Sequence, residues 1–278
     1  MSAVLKSRDR ERRIVLRTRG QRHGPITRLV SPSDIGELIK PFVFLDLFDI
    51  SAATAPIFGW HPHSGIATLT VLHDGAIEYQ ETTGVKGILP ANGVEWMRAG
   101  GGVWHTGAAL QQAKGFQLWI ALPAELEHSP SQSHYLSPGE VPAEKPARVI
   151  LGSYGRAKSA ISGPERINYL DVQLGAGERW TYEPPLGHEV AWLAVSDGTI
   201  RTPEPVSAGE FVAFEESNRA LSIQADRASR FVLGSAARHP HDLVLGRYSV
   251  HTTRAALVAG ESQIQRIGNQ LIAAGLLR

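Results

Sequence analysis

Apolar residues along the chain fall into short runs separated by turn residues. The runs Phe42-Val43-Phe44-Leu45, 66–72, 94–97, 116–122, 148–151, 190–195, 211–214 and 230–233 are each long enough for one strand. Between them lie Asp74-Gly75, Thr83-Gly84, Pro90-Ala91-Asn92-Gly93, Asp197-Gly198 and Ala208-Gly209. Many short strands with regular turn signals predict an all-β sandwich or barrel. Most gaps are too short for crossover helices, which argues against a parallel α/β sheet. Helical spacing emerges near the end. Thr252 or Thr253 caps a short helix through Leu257 and Val258, and Gly260 breaks it. From Glu261 onward Ile264, Ile267, Leu271 and Ile272 recur at helical spacing. Such a tail packs its apolar stripe on a barrel.

The pattern repeats weakly. Residues 65–77 and 187–200 each run a strand into an Asp-Gly turn and on into another strand, as if one barrel had been duplicated. The Pro- and Ser-rich stretch 125–146 is the natural linker. The expected division is therefore 1–135 and 136–278.

Composition narrows the function classes. The chain has 278 residues, enough for two modest domains. A net charge of +1 is no argument for a polyanion partner over the whole surface. The charge is uneven, however. Residues 6–23 carry Lys6, Arg8, Arg10, Arg12, Arg13, Arg17, Arg19 and Arg22 against Asp9 and Glu11. A nucleic-acid arm is one reading, and a solvated edge strand over 13–19 is the favoured one. There are no cysteines, which excludes disulfides, thiolate ligands and cysteine nucleophiles. No apolar stretch approaches the roughly 20 residues that span a bilayer, and no signal peptide is visible. A cytoplasmic protein without membrane or nucleic-acid partners is expected.

The strongest chemical feature is His61-Pro62-His63. In an extended segment residues i and i+2 point to one side, so both imidazoles converge on one point. Some forty residues later, Gly100-Gly101-Gly102-Val103-Trp104-His105 delivers a third histidine from a strand after a tight glycine turn. Three neutral imidazoles suit one divalent ion, with Fe, Zn, Cu and Ni all acceptable. His239-Pro240-His241 repeats the motif without a partner strand, and His73 reads as a turn residue. Trp96 and Trp119 read as core. Trp60 and Trp104 adjoin the candidate ligands and are expected to wall a substrate pocket, with Gln117 as a polar orienting group.

Several motifs together resemble the pirin family. They are Pro41-Phe42-Val43-Phe44-Leu45-Asp46-Leu47-Phe48, Gly59-Trp60-His61-Pro62-His63-Ser64-Gly65 and Val94-Glu95-Trp96-Met97-Arg98-Ala99-Gly100. Gly102-Val103-Trp104-His105 and the run 115–123 complete the set. The resemblance implies two antiparallel cupin barrels with a short helical C-terminal tail. It implies one metal, iron first, with Zn, Ni, Cu or Mn as alternatives, held by His61, His63 and His105 in the first barrel, and a second barrel without metal. It further implies a dioxygenase of the quercetin 2,3-dioxygenase kind, acting on a flavonol-like or other chelating molecule and O₂. The alternative is a non-catalytic, redox-sensing regulator working through a protein partner. One departure matters. The family's acidic ligand two residues beyond the third histidine is Gly107 here, and another acidic cupin position is Ala67. Glu78, Glu81 and Glu95 are candidate replacements that spacing does not separate.

Overall fold

The computed structural model describes residues 12–51 and 58–277; Lys6, Arg8 and Arg10 of the basic stretch lie outside them. The expected all-β class holds, and every apolar run named above lies in or at the end of a strand. The chain divides into two compact units, 1–21 with 141–238 and 22–140 with 239–278. A cut into 1–135 and 136–278 falls close to the inner boundary, but the two ends are exchanged between the halves.

The reason lies in strand pairing. In the first unit, β1 (Ile14–Thr18) pairs antiparallel with Phe211–Phe214 at the edge of a seven-stranded sheet. The edge strand expected over 13–19 is thus present, and its arginines meet acids. Arg13 pairs with Glu215, Arg17 with Glu204 and Glu210, and Arg19 with Glu210. Leu193, Val195 and Phe231 from this sheet bury against Trp180, Ile200 and Ile223 from a four-stranded sheet. Fully burying each such side chain contributes about 1.5–3 kcal/mol.

The second unit carries a nine-stranded antiparallel sheet. Its strands are β2 (Gln21–His23), β3 (Ile26–Val30), β4 (Phe42–Ile50), β5 (Phe58–His63), β6 (Ile66–Glu81), β7 (Lys86–Pro90), β8 (Val94–Arg98), β9 (Val103–Ala121) and β10 (Gln132–Leu136). The short helix α1 (Ile35–Ile39) precedes β4. β6 and β9 are long and run beside each other. Asp74-Gly75 is not a hairpin turn. The strand continues through it with register shifts on both sides, and Gly75 takes φ +84°. That is a β-bulge with a glycine in the left-handed region, which bends β6 without ending it.

Helix α2 (Arg254–Ala273) closes this unit, capped by Thr253, whose side chain accepts from the Ala256 amide. It runs unbroken through Gly260. The glycine there serves close approach, since a Cβ would sit 2.5 Å from His251 Nε2 and 2.6 Å from Ser64 Oγ. Ala256, Leu257, Ile264 and Leu271 form its buried stripe. No helix among the described residues is long and apolar enough to cross a membrane.

Candidate metal centre

His61 on β5 lies directly opposite His105 on β9, and directly opposed residues share a face. His63, two residues along β5, points the same way. The ring centroids lie 4.3 Å apart for His61 and His105, 5.0 Å for His61 and His63, and 5.1 Å for His63 and His105. One ligand nitrogen from each lies within 4.8 Å of the others.

The tautomers of two rings are set from behind. His61 Nδ1 lies 2.7 Å from the Gly59 carbonyl and His63 Nδ1 lies 3.0 Å from the Tyr248 carbonyl. A carbonyl only accepts, so each Nδ1 donates and each Nε2 keeps its lone pair for the shared space. His105 Nε2 is buried without a hydrogen-bond partner. An orphaned buried acceptor costs about 1–3 kcal/mol, and a cation at the centre of the three rings removes that penalty. Burial is the main force that lowers the imidazole pKa values. His63 is driven down to about 3 by burial and then by repulsion from His61, against the pull of the Tyr248 carbonyl. His105 lies well below the usual range from burial and the two neighbouring rings. His61 is lowered by burial against its bond to Gly59. All three are neutral near pH 7, the form a metal requires. The residues present fit a divalent ion.

The rings open onto a cavity of about 420 Å³, within the usual size range of small-molecule sites. Trp119 stacks on Phe44 at 4.1 Å and meets the edge of His63 at 4.8 Å. It therefore lines the cavity instead of the core, while Trp96 is buried as expected. Phe48, Leu89 and Ile77 extend the apolar wall. Along the opposite side runs a polar row that crosses six strands in register. Arg28 opposes Asp46, Asp46 opposes Gln117, Gln117 opposes Thr70, Thr70 opposes Glu95, and Glu95 opposes Tyr135. All six line the cavity. Arg28 donates to Asp46 and sits 3.9 Å over the Phe44 ring. The Thr70 hydroxyl is bonded to the Gln117 amide at 2.8 Å and to the Glu95 carboxylate.

The structure separates the acidic candidates. Glu95 lines the cavity, buried, with Oε1 3.8 Å from His105 Nδ1. Burial pushes its carboxyl up to about 7, against the Thr70 bond and with help from Glu81. Glu81, opposite His105 on β6, does not line the cavity and is taken up by Ser133 at 2.6 Å, Thr83 at 2.8 Å and Tyr135. Glu78 is exposed. Gly107 lines the cavity with no side chain to offer.

Of the expected pocket residues, Gln117 is in the cavity wall. Trp60 and Trp104 are not, and strand alternation is the reason. With His61, His63 and His105 facing inward, the residues between or beside them face outward. Trp104 turns to α2, donating its indole N–H to the Ile264 carbonyl at 2.7 Å, and Trp60 borders a groove beside Ile267 and Leu271. His73 is not a turn residue: it is buried on β6, edge-on to Phe116 at 5.5 Å. His239 and His241 join no candidate metal group among the described residues. In a second group, Glu127, His128 and His251, the two buried members are satisfied internally. His251 bridges Ser64 at 3.0 Å and Glu127 at 3.1 Å, and Glu127 also takes the Thr252 amide and hydroxyl. Sequence reasoning missed Arg28, Asp46, Thr70 and Tyr248, whose roles depend on which strands lie side by side.

Residues 25–120 match the family model for pirin. A pirin-like protein of Caulobacter vibrioides is 33% identical over 189 residues, covering 63% of this chain and 67% of that protein. A Pseudomonas aeruginosa protein, provisionally named as a quercetin 2,3-dioxygenase, is 30% identical over 79% of this chain and 82% of its own length. The chain belongs to the pirin family. Its pirin fold is shared with solved structures. The quercetin 2,3-dioxygenase of Acinetobacter baumannii superposes with a TM-score of 0.83 at 21% identity, over 92% of this chain and 97% of that one. The pirin YhhW of Escherichia coli, solved with nickel(II), gives 0.63 at 20% identity, over 82% and 98%. At these identities the likeness shows the shared fold.

Proposed function

We propose that this pirin binds one divalent metal, iron in its working form, through His61, His63 and His105, and acts as a dioxygenase on an aromatic or enolic chelating molecule. The observation that carries this reading is the set of three neutral imidazoles, two with Nδ1 committed to carbonyls, opening on an apolar cavity of about 420 Å³. Bound there, the ion would supply Lewis-acid and redox chemistry toward the substrate and O₂. The remaining work falls to the chain. The carbonyls of Gly59 and Tyr248 hold two ligand rings in one tautomer. Phe44, Phe48 and Trp119 exclude water and give the cavity the apolar wall against which a planar ring packs. Gln117, Thr70 and Glu95 present a line of hydrogen-bonding groups that orients the hydroxyls of a polyphenol. The relative named as a quercetin dioxygenase supports a flavonol as the first substrate to try.

The test is metal content by elemental analysis, followed by oxygen uptake with a flavonol. About one metal per chain, lost in the His61→Ala, His63→Ala, His105→Ala triple variant, together with metal-dependent O₂ consumption, supports the enzyme. Metal binding without turnover of any chelating phenol would transfer the reading to the metal-dependent regulator. A protein that takes up no metal after reconstitution overturns both.

A further inference from the structure

Each of the three imidazoles has something at its Nδ1. For His61 it is the Gly59 carbonyl at 2.7 Å, and for His63 the Tyr248 carbonyl at 3.0 Å. For His105 it is a carboxylate, Glu95 Oε1 at 3.8 Å. Two acids line the cavity, Asp46 and Glu95. Asp46 is neutralised by Arg28. Glu95 has no Arg or Lys partner among the described residues, and its other oxygen is fixed by Thr70. It is therefore a buried, positioned carboxylate with one oxygen 3.8 Å from Nδ1 of a candidate ligand ring. The centre beside it consists of three neutral rings, which leave an ion's charge of +2 undiminished.

We propose that Glu95 is the acid of this centre: a positioning residue whose carboxylate, 3.8 Å from His105 Nδ1, orients that ring electrostatically and places a negative charge beside the ion. The assignment rests on the metal reading above. It makes Glu95 the anionic member of a carboxylate–histidine–metal arrangement, which raises ligand basicity. It also accounts for the tolerance of Gly107, because the charge enters from β8 instead of from β9.

The experiment is titration of the metal-free protein with Ni(II), together with the Fe(III)/Fe(II) midpoint potential of the iron-loaded protein. Glu95→Gln keeps the shape and the acceptor for Thr70 but removes the charge. Its Ni(II) affinity falls roughly 10–100-fold, the usual effect of losing an outer-shell partner, and its midpoint potential rises because the ferric ion loses an anion. Glu95→Asp keeps the charge at a longer reach and falls between wild type and Gln. Wild-type affinity and potential in Glu95→Gln, or tighter binding by Gln than by Asp, overturns the assignment and leaves the metal reading intact. Failure of the wild type itself to bind Ni(II) overturns the metal reading, and the role of Glu95 with it.

Discussion

At position 107 a Cβ would come no closer than 3.4 Å to the Glu78 carbonyl and the Ile77 side chain, which is ordinary contact. Gly107→Glu is therefore expected to fold and to bring a second carboxylate to the cavity. Its Ni(II) affinity should rise by about tenfold or more, roughly 1.4 kcal/mol, as read by competition with a chelator. A second expectation concerns pH. An unfolded imidazole titrates near 6.5, whereas His63 in the fold titrates near 3. Between those values the unfolded chain binds the extra proton, so stability present above pH 6.5 is lost as pH falls. The loss is about 1.4 kcal/mol per pH unit for each such ring. Glu95, raised to about 7, works in the opposite direction between its ordinary value of 4.5 and 7 and offsets one ring. Urea melts of metal-free protein should weaken from pH 6.5 toward 5, and His63→Gln should flatten that slope. The histidines were legible in the sequence because a strand has a period of two, so His61 and His63 had to share a face. Glu95 was not, because its place beside His105 depends on the order of β8, β6 and β9, which no local pattern carries.

At the level of elements, Gly260 shows two effects in competition. In an exposed helix, Gly→Ala stabilises by about 1 kcal/mol through backbone entropy. Here the new methyl would meet His251 and Ser64 at 2.5 and 2.6 Å, and such overpacking costs about 1–3 kcal/mol. Gly260→Ala is thus expected to lower the urea midpoint while leaving far-UV circular dichroism helical. A midpoint that rises would show that α2 slides outward at little cost. The tail's amphipathic stripe was readable from its spacing, but its continuity was not. A glycine that breaks an isolated helix and one that lets a helix approach a strand look alike in sequence. Trp60 and Trp104 carry the same lesson, since adjacency along a strand means opposition across the sheet. Asp74-Gly75, a hairpin signal by composition, is a bulge because β9 offers partners on both sides of it.

At the level of the whole molecule, the all-β class followed from strand and turn spacing, while the exchange of ends did not. Residues 239–278 belong with 22–140. They supply the Tyr248 carbonyl behind His63, the His251 that holds Glu127, and α2 behind Trp104. A fragment of residues 1–135 contains all three candidate ligands, yet it is expected to lack cooperative unfolding and to bind Ni(II) at least tenfold more weakly than the full chain. Circular dichroism melts and metal titration of that fragment would check this, and wild-type binding by it would show that the tail is dispensable. The same exchange orders events in time. A chain made from its N-terminus has its three candidate ligand histidines out of the ribosome early, but Tyr248 and His251 follow nearly 150 residues after His105. Domains that are contiguous in sequence can fold as they emerge; this one waits. Completion of the candidate metal centre is thereby tied to synthesis of the far end, so that a prematurely terminated chain would lack the carbonyl behind His63.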